Sequence, residues 1–233
     1  MEQRGYRLAA LLNAAAFGHF PAADGTVELL PPPPGPAMAV VGLTGRYVIA
    51  TCAAETWVRE QLPAGDLLAP MAPRFLAALG VQLGRRDDGV DIVLAAPGLQ
   101  GEARLVEVER EAHPRVVRGN AHRQDVRVFE DPSGAAVVIL GRGLALRTEV
   151  AVEVEEAARG RGLAAGALVE ARRLAGPGHA LFAQTAPGNA ASLRALLSAG
   201  FRPIGSEVLF FDGEPPPKGS DPLSRTHARG QAP

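Results

Sequence analysis

Cysteine, aromatic side chains and excess charge are all scarce in this chain of 233 residues, and each scarcity closes off a class of protein. The single cysteine, Cys52, can close neither an intrachain disulfide nor a cysteine-rich zinc site, so a reducing, cytoplasmic setting fits. Lys and Arg (24) nearly cancel Asp and Glu (25), which leaves no field to gather polyanions, and nucleic-acid binding is not expected. A membrane-spanning helix needs ~20 uninterrupted apolar residues. The best run, Met38 to Ala54, is broken by Gly42, Gly45 and Arg46, so no membrane span is expected. His19, His113, His122, His179 and His227 are scattered without metal-ligand spacing, so no metal site is expected and packing or surface roles are the default. Arg4 and Arg7 ahead of Leu8 to Phe17 imitate a secretory signal. Asn13 interrupts that run, and Leu8, Leu11, Leu12 and Ala15 recur at helical spacing, so an amphipathic helix explains it better.

What is present is a globular composition, 47% hydrophobic and 21% charged, long enough for one extended domain or two small ones. Proline and glycine supply the punctuation. Pro31 to Pro36 forms a stiff connector after the first helix. Met38–Leu43 and Arg46–Thr51 flank Thr44-Gly45 as a hairpin, Ala53–Leu62 and Pro73–Leu79 read as helices, and Val90–Ala95 reads as a short strand after a turn-like Arg86-Asp87-Asp88-Gly89. Trp57 and Cys52 read as core, the latter as a buried, inert thiol. From Gln124 onward a strand, the turn Asp131-Pro132-Ser133-Gly134 and a second strand, Ala136–Leu140, lead to Glu149–Val154. There, period-two alternation places Val150, Val152 and Val154 on one face and Glu149, Ala151 and Glu153 on the other. Leu163 to Leu174 carries a helical apolar stripe opposite Glu170, Arg172 and Arg173. Strand Ala180–Gln184, helix Asn189–Ala199 and a closing strand Val208–Phe211 follow, and 212–233 reads as a disordered tail.

The stretch richest in chemistry is Arg159-Gly160-Arg161-Gly162-Leu163-Ala164, between a strand and a helix. Glycines let backbone amides turn toward a ligand, and the helix start adds unpaired N–H groups and the positive end of its dipole. Such a loop suits a pyrophosphate, with Arg159 and Arg161 supplying charge for a further phosphate. By itself it is equally an ordinary surface loop. Gly160-x-Gly162-x-x-Ala165 also satisfies the dinucleotide fingerprint, but five residues separate Val154 from Gly160 and no acid closes the strand ending at Gln184 and Thr185, so NAD is disfavoured.

A second element decides between these readings. Asn189, Ser192, Leu196, Gly200 and Phe201, together with the Arg159–Ala164 loop, resemble the two motifs of the GNAT superfamily of N-acetyltransferases over about residues 122–211. The resemblance implies a mixed-sheet α/β fold that binds acyl-CoA, and the elements of the first hundred residues add an α/β region in front of it. It implies division into 1–100, 101–211 and the tail, the first region covering or completing the acceptor site or being a degenerate copy of the same fold. The amides of Gly160, Arg161, Gly162, Leu163 and Ala164 would hold the pyrophosphate of acetyl-CoA, and Asn189, with Ser192 behind it, would stand toward the pantetheine. Capping of the helix by Asn189 is compatible with that role.

The family reaction is direct attack of an amine on a thioester, which needs a proton acceptor, donors for the developing oxyanion and a proton for the thiolate. By resemblance a backbone amide around Val152 to Val154 would serve the oxyanion, and Glu153 or Glu149 would be the base, Glu153 lying nearer the glycine loop. Solvent-facing roles for both glutamates are an equally good reading. The family commonly places a tyrosine seven residues after the motif asparagine as general acid, and here that place is Leu196. The expectation is therefore an acyl-CoA-dependent transferase acting on a small-molecule or peptide amine. A non-catalytic acyl-CoA sensor is the alternative that Leu196 favours, and the oligomeric state is left open, a dimer included.

Overall fold

Hydrophobic spacing and proline-glycine punctuation translate into six helices and ten strands in a computed structural model that describes residues 6–213. Residues 214–233, most of the expected tail, and with them His227, lie outside the described residues. The helices are α1 (Arg7–Ala16), α2 (Glu55–Gln61), α3 (Pro73–Leu83), α4 (Pro114–His122), α5 (Leu163–Ala175) and α6 (Ala190–Ser198). The strands are β1 (Val27–Leu30), β2 (Met38–Leu43), β3 (Arg46–Ala50), β4 (Arg86–Pro97), β5 (Val106–Glu107), β6 (Gln124–Glu130), β7 (Ala136–Arg142), β8 (Thr148–Val154), β9 (Ala180–Thr185) and β10 (Arg202–Phe211). The expected mixed α/β fold is what forms.

All ten strands join one sheet in the order β1-β3-β2-β10-β4-β9-β8-β7-β6-β5, antiparallel except for β1–β3 and β8–β9. Two expected strands prove longer than their apolar cores. The would-be turn Arg86–Gly89 belongs to β4, with a register shift in the pairing to β10 that accommodates Gly89 at φ +85°. β10 begins at Arg202 and does not close an edge, because it lies between β2 and β4 and pairs with both. Thus β4, from the first hundred residues, is hydrogen-bonded on one side to β10 and on the other to β9, and the two halves of the chain share one sheet.

Side chains alternate across that sheet into two layers. On one face α5 and α6 cover Leu181, Ala183, Val150 and Val154, and α2 and α3 cover Val40, Val208 and Phe210. On the other, α1 lies over Phe182, Val93 and Ala95, while Val116 of α4 lies over Val128, Val137 and Ile139. Leu8, Leu11, Leu12 and Ala15 are all buried, as their spacing requires. Three local expectations change. Cys52 is exposed. Leu197 is 46% exposed although Leu193 and Leu196 pack inward. Glu170 is buried on the supposed polar side of α5, because the segment before β5 folds over it and the Arg104 amide donates to its carboxylate at 2.8 Å. No helix among the described residues is long and apolar enough to cross a membrane.

Candidate active site

Strands β8 and β9 run side by side in parallel but share a single register position, Glu149 beside Phe182, whereas β7 accompanies β8 from Thr148 to Val154. Beyond Glu149 the two strands part and leave a wedge. The backbone facing it follows from the pairing on the outer edges. The Glu155 amide donates to the Ala135 carbonyl, so odd-numbered residues of β8 turn their backbone groups toward β7 and Val150, Val152 and Val154 turn theirs toward β9. Likewise the Gly98 amide donates to His179, which turns the backbone of Gln184 toward β8. Val152 and Val154 therefore present N–H and C=O groups to the wedge, and the Arg159 guanidinium reaches back to donate to the Val154 carbonyl at 3.1 Å.

The glycine loop sits at the mouth of this wedge. Gly160 and Gly162 have φ +78° and +79°, and a Cβ at either would meet no atom within 4 Å, so the space beyond the loop is open. Gly162 is the N-cap of α5 and supplies no side chain, and the first amide bonded into the helix is Gly166, which donates to Gly162. Among the described residues no acceptor takes the amides of Gly160, Arg161, Gly162, Leu163, Ala164 and Ala165. Six consecutive free donors at the positive end of a thirteen-residue helix suit a diphosphate. Asn189 caps α6, its side-chain Oδ1 accepting from the Ser192 amide at 3.1 Å, and its Nδ2 has no acceptor among the described residues on this exposed side chain. Thr185 ends β9 on the α5 face. It is 5% exposed and its hydroxyl has no partner among the described residues. A buried orphan donor of this kind fits a site that a ligand completes.

The opposite face of the wedge is charged. Glu149 and Glu153 do share that face, but their surroundings differ. Glu149 is 2% exposed, and its carboxylate accepts from Arg147 Nε at 2.8 Å, Gln184 Nε2 at 2.7 Å, Arg123 Nε at 2.9 Å and the Leu144 amide at 3.3 Å. Burial pushes its pKa up, but Arg147 and Arg123 outweigh that and hold it below the ordinary glutamate value. A Cβ on Gly143 would collide with this carboxylate, so that glycine is required where it stands. Glu207 of β10 takes the other side of Arg147, at 2.5 and 2.8 Å. Burial lowers the Arg147 pKa, but Glu207 and Glu149 more than offset it and raise the net value. Glu153 is half-buried and paired with Arg115 of α4 at 3.1 Å.

Helix α4, which the sequence reading passed over, supplies the other wall. Arg118 pairs with Asp88 at 3.2 Å, His122 lies 3.6 Å from the same carboxylate, and the His122 ring packs on Phe211 with centroids 4.4 Å apart. Burial is the main cause lowering the His122 pKa, against the pull of Asp88. His113 is the N-cap, accepting from the Arg115 amide at 3.2 Å, with Pro114 in the first turn; a cap followed by proline is the signal that could have found this helix. Leu196, at the place of the family tyrosine, is 5% exposed in the core and offers no proton. Among the described residues no group of three or more His, Cys, Asp or Glu side chains is arranged to hold a metal.

No protein-family model matches the chain. No curated protein matches it either. Among solved structures it is similar to a GNAT-family protein from Novosphingobium aromaticivorans DSM 12444, at 21% identity over 56% of this chain and 69% of that one, with a TM-score of 0.39. It is also similar to a GCN5-related N-acetyltransferase from Kribbella flavida, at 17% identity over 60% of this chain and 64% of that one, with a TM-score of 0.38. A GNAT-family acetyltransferase from Colwellia psychrerythraea is similar at 13% identity over 60% of this chain and 62% of that one, with a TM-score of 0.37. These are partial likenesses of fold at low identity.

Proposed function

We propose that the chain moves an acyl group from acyl-CoA to an amine. The observation that carries this reading is the row of six free amides opening onto the wedge between β8 and β9. Gly160 to Ala164 would hold the diphosphate, with Arg159 and Arg161 beside it, and the exposed Asn189 amide would stand along the pantetheine arm. The Thr185 hydroxyl would donate from the α5 face and gain its missing partner. The thioester supplies an activated carbonyl, and the Val152 or Val154 amide, turned toward the wedge, would stabilise charge on its oxygen. The acceptor amine approaches from the α4 face, where carboxylates are gathered. Glu149 is fully engaged by its four donors and suits holding the wedge more than moving protons, while Glu153 is reachable but shared with Arg115. The first hundred residues complete this face through β4.

The buried Leu196 favours a second reading, an acyl-CoA sensor without turnover. Calorimetric titration with acetyl-CoA, CoA and NAD tests the shared part: binding of the first two and not the third is expected, and equal binding of NAD would overturn it. Release of free CoA thiol in the presence of an amine separates transferase from sensor.

A further inference from the structure

Strands β4, β8 and β10 bring five carboxylates to the face of the sheet that α4 shares, and four are paired, Glu153 with Arg115 among them. Asp88 has Arg118 and His122, Glu149 has Arg147 and Arg123, and Glu207 has Arg147 and the Gln184 amide, which donates at 3.1 Å. The fifth, Asp91 of β4, has no ion pair or hydrogen-bond donor among the described residues. Its register position is directly opposite Glu207, and its neighbour Ile92 is opposite Thr185, the last residue of the β9 edge that lines the wedge. Alternation along β4 puts Asp91 on the same face as Val93, the partner of Gln184, and so on the α4 side of that edge. The residue is only partly exposed, yet neither carboxylate oxygen is sealed from solvent as the Thr185 hydroxyl is.

We propose that Asp91 is the proton acceptor for the incoming amine, an inference that rests on the acyl-transfer reading above. The ammonium gives one proton to the Asp91 carboxylate, and the freed lone pair forms the C–N bond as the C–S bond breaks. The second proton shed by the new amide nitrogen goes to the departing thiolate, so the missing tyrosine at Leu196 leaves no step unbalanced. The Asp91 proton then passes directly to solvent, to which the residue is partly exposed. Burial first, then the charges of Glu207 and Asp88, raise the Asp91 carboxyl to about 7, with Glu149 adding in the same sense and Arg118 opposing. His122, Arg123 and Arg147, tied to Asp88, Glu149 and Glu207, and the Glu153–Arg115 pair are the further titratable or charged groups on this face. A carboxyl of that strength is half ionised near neutrality, where general-base catalysis is most effective.

The test compares the full chain with D91N and E153Q. Carbon-13 NMR of the aspartate carboxyls should show one group titrating near neutrality that D91N removes; if all titrate in the ordinary range, the proposal fails. Calorimetry should give acetyl-CoA affinities within threefold of each other for all three proteins. Loss of binding already in the wild type would sink the acyl-transfer reading itself, independently of Asp91. Thiol release is then followed from pH 5.5 to 9 with a primary alkylamine, spermidine, an aminosugar and a peptide with a free amino terminus. With D91N, turnover at pH 7.5 should fall at least ~100-fold and the acidic limb of the profile should disappear; if E153Q and not D91N removes that limb, Glu153 is the base and the proposal fails. An unchanged profile in D91N, or CoA binding without turnover on any amine, overturns the role assigned to Asp91.

Discussion

The two ends of β8 carry the same kind of residue into opposite circumstances. At the pinched end Glu149 is buried beneath two arginines, Gln184 and a backbone amide, and the strand there is paired on both edges. At the open end Glu153 shares the same face but has a single, partly solvated partner, and Val152 and Val154 have lost the neighbouring strand. The first end is a clamp built from satisfied charges, and the second is a gap whose polar groups await a ligand. A buried ion cluster contributes little net stability compared with an apolar core but is costly to break on one side, so it can fix where the strands separate. β4 and β10 repeat the contrast across one register position, with Glu207 held by Arg147 and Asp91 without a partner among the described residues.

Breaking the clamp should have the largest effect. Glu149→Ala leaves the buried Arg123 guanidinium without its carboxylate and Arg147 with Glu207 alone, and should cost about 3–5 kcal/mol in urea unfolding; a loss under ~1 kcal/mol would show that the cluster does not hold the pinched end.

The unpaired carboxyl should show itself in the pH dependence of stability. Asp91 is raised from 3.8 to about 7, so between those values the folded chain keeps a proton that the unfolded chain has lost. Its contribution is therefore fully present below pH 3.8 and declines as pH rises through about 7, with a ceiling of ~4 kcal/mol from roughly three pKa units. Asp91→Asn should flatten that part of the profile and raise the melting temperature at pH 8, as followed by circular dichroism. A mutant that tracks the wild type from pH 5 to 8 would place Asp91 in ordinary solvent.

At the open end, ligand affinity should respond more than stability. Arg161→Glu puts a negative charge beside the free amides and should weaken CoA binding at least tenfold, ~1.4 kcal/mol, with an unchanged melting temperature. Thr185→Val should sharpen the comparison further. Removing a buried hydroxyl with no partner should leave the free protein equally stable or about 1 kcal/mol more stable, while CoA binding weakens. A destabilised variant would mean that the hydroxyl already has a partner. The smallest effect belongs to Glu153→Gln, which gives up one partly solvated ion pair and should change stability by no more than ~1 kcal/mol in the same urea assay.

Local patterning alone sufficed for much of this molecule. The apolar stripe from Leu8 to Ala15, the hairpin around Thr44-Gly45, the alternation along β8 and the glycine loop opening α5 are each written within a dozen consecutive residues, because side-chain period and backbone permissiveness act over that range. Tertiary structure decided what those elements touch. Whether Glu149 or Glu153 is engaged depends on Arg115 of α4 and on Arg123, which caps its C-terminus, and whether Glu170 is buried depends on a loop some 66 residues away. No local signal marks Asp91 as the carboxylate without a partner, since that follows from β10 being drawn into the sheet beside β4 and bringing Glu207 opposite it. The desolvation and Coulomb fields that set a proton affinity are sums over spatial neighbours, and those neighbours come from four separate elements of the chain.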